Sequence, residues 1–412
     1  MSKPLFTVVL LACILMAAGC SHQSLLDSAS FQPATISPNG DGQADVTQIN
    51  YTLYRDARVS IYLQDGSGQR YYFRQAQPRS AGPYSVLFGG VIDNRMLPNG
   101  AYTWVVSAND DRQTQERTGV LTIASADTTP IEITQLTASP SVFTPNRDGL
   151  SDRATINVAI NKDAELRVYL QGADNIQYPV TEKAGLRKAG EKGLHTFDYD
   201  AGVDNGAEPP PDGTYIVHAQ ATDDVGQHAV ATTTLTIEDG GVPRAEIVDG
   251  QVDFSICPTP NAQCPIRLGD TLYFTLTVEN YGAVPLRTSG PQPGACYDLD
   301  QNFNAPRPGR PQGYSEESGA FRAAIGFDTQ LMNYPFRWAI GGPGDLEKRT
   351  LDGQDYYYLP VGKRAVITGC LRITRVPPRN PFSMWAGLIH EDVEISSLND
   401  RVDSHSVNVN AP

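Results

Sequence analysis

An internal duplication constrains this chain most. Ser37-Pro38-Asn39-Gly40-Asp41-Gly42-Gln43-Ala44-Asp45 returns as Thr144-Pro145-Asn146-Arg147-Asp148-Gly149-Leu150-Ser151-Asp152, a spacing of about 107 residues. In each copy a segment alternating apolar and polar residues follows, at 47–53 and 154–160. Then Ala57-Arg58-Val59-Ser60-Ile61-Tyr62-Leu63 matches Ala164-Glu165-Leu166-Arg167-Val168-Tyr169-Leu170. The tails match too: Pro98-Asn99-Gly100-Ala101-Tyr102 parallels Pro211-Asp212-Gly213-Thr214-Tyr215. Period-two strands spaced by Gly, Pro, Asn and Asp predict antiparallel β-sandwiches. A repeat this long is a whole domain rather than a solenoid unit, so each copy should bury its own core. The predicted fold class is all-β, three tandem immunoglobulin-like sandwiches after an N-terminal signal peptide.

The predicted organisation is a signal peptide at 1–19, a tether at 20–30, modules at 31–126 and 127–239, and a C-terminal sandwich at 240–412. Glu238-Asp239-Gly240-Gly241 reads as a flexible joint before the last unit. The shared pattern resembles the immunoglobulin-like module named after the flagellar hook-capping protein: S/T-P-N-x-D-G-x-x-D, two strands, then P-D/N-G-x-Y. Its usual W-D-G element is altered to Phe88-Gly89-Gly90 in the first copy and Phe197-Asp198-Tyr199-Asp200 in the second. Related modules recur in bacterial surface proteins. In the last unit, the stretch from Leu268 to Gly282 resembles one strand and turn of adhesion-type immunoglobulin-like repeats.

The N-terminus has Lys3, an apolar run over 5–16, and Ala17-Ala18-Gly19-Cys20. A basic start, a short apolar core and small residues before a cut site make a secretory signal. Leu15-Met16-Ala17-Ala18-Gly19-Cys20 resembles the bacterial lipobox, which implies cleavage before Cys20 and acylation of its thiol. The resemblance places the mature protein on the membrane through lipid on Cys20, in the bacterial cell envelope outside the cytosol. An ordinary signal with an incidental cysteine is the alternative. The formal net charge of -14 argues against nucleic acid as a partner.

After cleavage, Cys257, Cys264, Cys296 and Cys370 remain besides Cys20. Four cysteines in an exported chain suggest disulfides, with three pairings allowed. The favoured pairs are Cys257 with Cys264 and Cys296 with Cys370. Zinc is the rival reading, although no CxxC pair is present. The Pro- and Gly-rich connection over 287–319 is either functional or loosely ordered.

The two Asp-Gly loops are candidate calcium sites, since calcium takes six to eight oxygens from a flexible turn. The candidate ligands are Asn39, Asp41 and Asp45 with the Gln43 carbonyl, and Asn146, Asp148 and Asp152 with the Leu150 carbonyl. The spacing is similar to the first half of an EF-hand loop without its closing glutamate. The alternative is an Asx-turn network in which these side chains cap their own backbone. Trp338, Trp385 and Tyr357 are candidates for a sugar-stacking platform, against the alternative of tryptophans in the sandwich core. His390-Glu391 lacks the second histidine of a zinc-protease motif, and no G-x-S-x-G elbow is present. The expectation is a non-enzymatic envelope lipoprotein, a stalk or adhesion protein presenting its C-terminal unit to an envelope protein or glycan. A carbohydrate-binding lipoprotein is the alternative, and a cell-wall hydrolase a third class.

Overall fold

The computed structural model describes residues 24–182, 187–257 and 263–410. The predicted signal peptide and Cys20 lie outside the described residues. Among the described residues, no helix is long and apolar enough to cross a membrane.

The first module pairs a three-stranded sheet with a five-stranded one. Leu26–Gln32, Thr47–Leu53 and Gly82–Phe88 form the first, in that order. The second runs Thr35–Ile36, Thr114–Ile123, Gly100–Asn109, Ala57–Gln64, Arg70–Arg79. Alternation decides which side chains meet between the sheets: Ile49, Tyr51 and Leu53 from one face Val59, Ile61, Leu63, Trp104 and Val106 from the other in one core. Phe31 stacks on Trp104 with ring centroids 4.7 Å apart.

The second module repeats this plan strand for strand. Ile133–Ser139, Ala154–Ile160 and Gly193–Tyr199 form the small sheet. Val142–Phe143, His228–Ile237, Gly213–Thr222, Glu165–Gln171 and Gln177–Pro179 form the large one. In both modules the strand just before the Asp-Gly loop pairs in parallel with the module's last strand, Thr35↔Thr122 and Val142↔Thr236. This pairing places the loop at the end of the module where the chain leaves for the next domain.

The third unit is a larger sandwich. One sheet runs Ala245–Ile247, Thr271–Asn280, Arg364–Arg372, Cys296–Asp298. The other runs Gln263–Arg267, Val402–Asn410, Phe382–His390, Phe321–Phe327, Leu286–Thr288, Gln354–Leu359, Glu347–Leu351. Both expected disulfides form, Cys257–Cys264 and Cys296–Cys370. Cys296 and Cys370 face one another across adjacent parallel strands, with Cα atoms 4.5 Å apart.

Two expectations are corrected. The tether at 20–30 overlaps the first module: its first strand begins at Leu26, and Leu25 and Leu26 are fully buried. Two leucines among small polar residues are enough to seat the segment, because their apolar area is worth more in the core than in water. The joint at 238–241 is fastened, not flexible. Asp212 accepts from the amides of Asp239 and Gly240, at 3.0 Å each. The Gly241 amide donates to the Pro145 carbonyl, and Arg349 pairs with Asp239 at 2.8 Å.

Candidate functional site: the seams and a polar cleft

In both loops the carboxylates close their own turn. The Asn39 carbonyl oxygen of the side chain accepts from the Asp41 amide at 3.0 Å, and Asp41 accepts from the Gln43 amide at 2.7 Å. Asp45 accepts from the amides of Asn39, Gly40 and Gly42. The second copy repeats this: Asn146 accepts from Asp148, Asp148 from Leu150, and Asp152 from Asp148 and Gly149. The carbonyls of Gln43 and Leu150, expected as further ligands, accept instead from Ser37 and Thr144 hydroxyls. That explains the Ser or Thr opening each motif. Every carboxylate oxygen of Asp41, Asp45, Asp148 and Asp152 accepts a hydrogen bond. The set fits turn closure better than a calcium cage.

What the sequence did not reveal is where the loops sit. Each abuts the following domain. In the first, Gly40 lies against the Asp223–Gln227 turn of module two, so that a Cβ there would stand 3.1 Å from Asp224 Cβ. Gln227 bolts this seam while almost fully buried. Its amide nitrogen donates to the Thr129 carbonyl at 2.8 Å, and its oxygen accepts from the Met96 amide at 3.3 Å. Lys162 bridges Asp127 and Asp223 at 2.5 and 2.7 Å.

The second loop is buried against the third unit. Tyr358 donates its hydroxyl to Asp148 Oδ2 at 2.9 Å, and His390 Nε2 donates to the Arg147 carbonyl at 2.8 Å. Gly149 and Gly319 meet backbone to backbone. A Cβ on Gly149 would lie 2.0 Å from Ser318 O, and one on Gly319 2.1 Å from the Asp148 carbonyl carbon. Both glycines are also in the left-handed region, at φ +83° and +81°. Burial and the neighbouring Asp148 charge push the Asp152 carboxyl up to about 6. Burial also raises Asp148, against the pull of the Leu150 amide and the Tyr358 hydroxyl. Burial holds His390, stacked on Phe321, down at about 4.

Glu391, next to this histidine, lies between two buried guanidiniums. Arg322 Nη1 is 3.1 Å from its Oε1, and Arg337 Nη1 reaches both oxygens at 2.9 and 2.8 Å. Removing the carboxylate would take from two buried cations their nearest counter-charge, leaving Glu317 at 3.9 Å from Arg322 and Glu316 at 3.4 Å from Arg337, at a cost of about 3 kcal/mol. The sequence signal was a lone arginine in each of two apolar strands, Phe321-Arg322-Ala323 and Phe336-Arg337-Trp338.

The aromatic platform is not assembled. Trp338 is a core residue, 0 % exposed, edge-on to Phe274 and Tyr297 with its Nε1 donating to the Ala295 carbonyl at 2.9 Å. For Trp338 this is the core setting that the sequence offers as the alternative to a stacking platform. Trp385 lines a separate groove of about 630 Å³ with Leu331 and Tyr334, under the Arg401 guanidinium. Tyr357 lines a different cleft, of about 250 Å³, with Tyr356, Tyr314, Arg287 and Arg310. The connection over 287–319 supplies much of that cleft. It is well packed rather than loose, with Tyr297, Leu299 and Phe303 in the core.

Cys257, Cys264 and His405 lie within 4.8 Å of one another. The two sulfurs are bonded to each other, so the thiolates that zinc requires are absent.

No family model matches the chain, and no curated protein matches it. Among solved structures, it is similar to a chimeric titin Z1Z2 functionalised with a KLER peptide from decorin. That match has 15% identity over 51% of this chain and 96% of the other, at a TM-score of 0.19. A tetra-tandem repeat in the extending region of a large adhesion protein matches at 10% identity, over 93% of this chain and 91% of the other, at 0.18. The native conformation of E. coli alpha-2-macroglobulin matches at 12% identity and 0.19, over 93% of this chain but 23% of the other. At such scores the fold rests on the strand pairing described above and not on these likenesses.

Proposed function

We propose that this chain is a non-enzymatic stalk of the bacterial cell envelope, tethered through lipid on Cys20 and holding its third unit away from the membrane. One observation carries the reading: the duplicated Asp-Gly loop stands at the exit end of each module and is seated on the next domain. A loop kept for catalysis or for a free ligand would be open to solvent. These are closed by their own carboxylates, and the second is covered by Tyr358 and Gly319. Direct seams favour a stiff series of sandwiches over beads on a flexible string. Three buried titratable groups near the second seam, Asp148, His390 and Glu391, are engaged in that seam or in a buried ion pair. In detail, the modules are of the hook-capping immunoglobulin-like type, on the strength of the two motif copies. Two disulfides suit an oxidising compartment outside the cytosol.

Small-angle scattering on the mature chain tests the reading. Sandwiches of about 40 Å each, from strand rise and strand length, give an end-to-end dimension of roughly 100 Å or more. A compact particle, or one whose scattering requires freely rotating units, overturns it.

A further inference from the structure

We propose that Cys257–Cys264 is a thiol–disulfide exchange site that takes electrons from a dithiol, with Cys257 as the sulfur attacked, Cys264 as the sulfur released and His405 as its proton donor. The site belongs to the third unit alone and does not depend on the stalk.

The two half-cystines differ in access. Cys257 is half-buried and follows the short strand Asp253–Phe254, which pairs with Thr271–Asn280 of one sheet. Cys264 is fully buried in Gln263–Arg267, which pairs in parallel with Val402–Asn410 of the other sheet. The bond therefore clasps the two sheets together, with one end open to attack from solvent and the other in the core.

His405 sets this disulfide apart. It lies on Val402–Asn410, turned to the core with 4 % of its surface exposed. One ring nitrogen lies within 4.8 Å of both sulfurs. Neither ring nitrogen makes a hydrogen bond among the described residues. Asp403 Oδ1 comes to 3.1 Å from Nε2 without the alignment of a hydrogen bond, while its Oδ2 accepts from the Val252 amide at 2.9 Å. A buried imidazole left unbonded is costly, and a redox or proton-transfer role is one cause that retains such a group. No comparable group surrounds Cys296–Cys370 among the described residues. Those two cysteines face one another on adjacent strands, so their thiols stay opposed when reduced.

The electrons and protons balance. A thiolate of the dithiol attacks Cys257 Sγ, the S–S bond breaks, and its electron pair leaves on Cys264 Sγ. A ring N–H of His405 delivers a proton to that sulfur, and the ring regains the proton lost by the attacking thiol. The second thiol of the donor then displaces Cys257 as a thiol. The donor ends as a disulfide, oxidised by two electrons, and the protein holds two cysteine thiols. Burial makes an unassisted thiolate at Cys264 a poor leaving group, and the proton donor removes that penalty.

The test is reduction of the full mature protein by dithiothreitol, with thiols alkylated at timed intervals and read at each cysteine by peptide mass spectrometry. Cys296–Cys370 is the internal control. Cys257–Cys264 should open at least tenfold faster than the control. Glutathione, a monothiol, should leave its mixed disulfide on Cys257, with Cys264 alkylated as a thiol. His405→Leu should slow opening of Cys257–Cys264 at least tenfold and leave Cys296–Cys370 unchanged. His405→Gln, which keeps an N–H donor, should recover part of the rate. Melting temperatures of the oxidised variants establish that each is folded. Equal opening of the two disulfides, a mixed disulfide on Cys264, or a His405→Leu rate no slower than that of the unmodified chain would each overturn the assignment. The first two outcomes are read on the unmodified chain, so neither depends on a variant that folds.

Discussion

Tyr358→Phe is the sharpest probe of the second seam, because it deletes one oxygen and keeps the ring against Arg349, whose guanidinium lies 4.9 Å from the ring centre. The lost bond joins a buried hydroxyl to a buried carboxylate at 2.9 Å. Hydrogen bonds to charged groups contribute about 1.5–3 kcal/mol, so the variant should lose that much at pH 7. The pH dependence tells this bond from a packing defect. Burial already raises Asp148, and the Tyr358 hydroxyl works against that rise. Without the hydroxyl the folded-state pKa climbs further. A carboxyl raised on folding takes up protons, so its cost to stability is absent below the unfolded value and grows as pH rises through the folded one. The loss should therefore be largest at neutral pH and shrink towards pH 4. Urea unfolding measures it, followed by circular dichroism for the whole chain and by tryptophan fluorescence in a Trp104→Phe background, which leaves Trp338 and Trp385 of the third unit as the reporters. A double-mutant cycle with Asp148→Asn should return a coupling well above the roughly 0.5 kcal/mol expected of independent sites. A cost independent of pH, together with no coupling to Asp148, would refute the reasoning.

Gly319→Ala drives a methyl into the Asp148 backbone at a positive φ. It should destabilise by about 2 kcal/mol or more and increase amide exchange on both sides of the seam, at Leu150 and Gly319, while the first module's core stays protected. Chelation with EDTA should leave the melting temperature unchanged, because the loop carboxylates already serve as turn acceptors; a clear fall, absent in Asp41→Ala and Asp148→Ala, would restore calcium. His390, held at about 4, is depressed below its ordinary value of 6.5, so the unfolded chain binds its proton first. Its contribution is complete above about pH 6.5 and is lost as pH falls towards 4. Asp152, at about 6, acts in the opposite direction over the same range. Urea midpoints for His390→Gln should accordingly resist acid better between pH 6 and 4 than those of the unmodified chain.

Much of the architecture was legible because it is written in local terms. Period-two patterning, turn residues and the motif offset located the two modules, and an even cysteine count pointed to disulfides, of whose three possible pairings the favoured one forms. What the sequence hid is written in long-range terms. Asp148 looks identical to Asp41 in its motif, yet one is buried under Tyr358 and the other is open to water. Nothing near position 148 encodes a tyrosine 210 residues away. Trp338 and Trp385 carry the same side chain into opposite settings because strand register, not composition, decides which face a residue takes. Leu25 and Leu26 were assigned to a tether by the polarity around them, and it is the partner strand Thr47–Leu53 that pulls them in.

The abutting glycines also bear on how such a chain could be rebuilt. The two junctions are keyed differently: one by the Gln227 side chain, the other by a pair of residues that tolerate no side chain at all. A chimera with the copies transposed would mismatch at both places, and a third copy spliced in before residue 240 would have to carry its own version of the Ser318-Gly319 socket. The order of the units is thereby specified chemically and could not be permuted by recombination without repair.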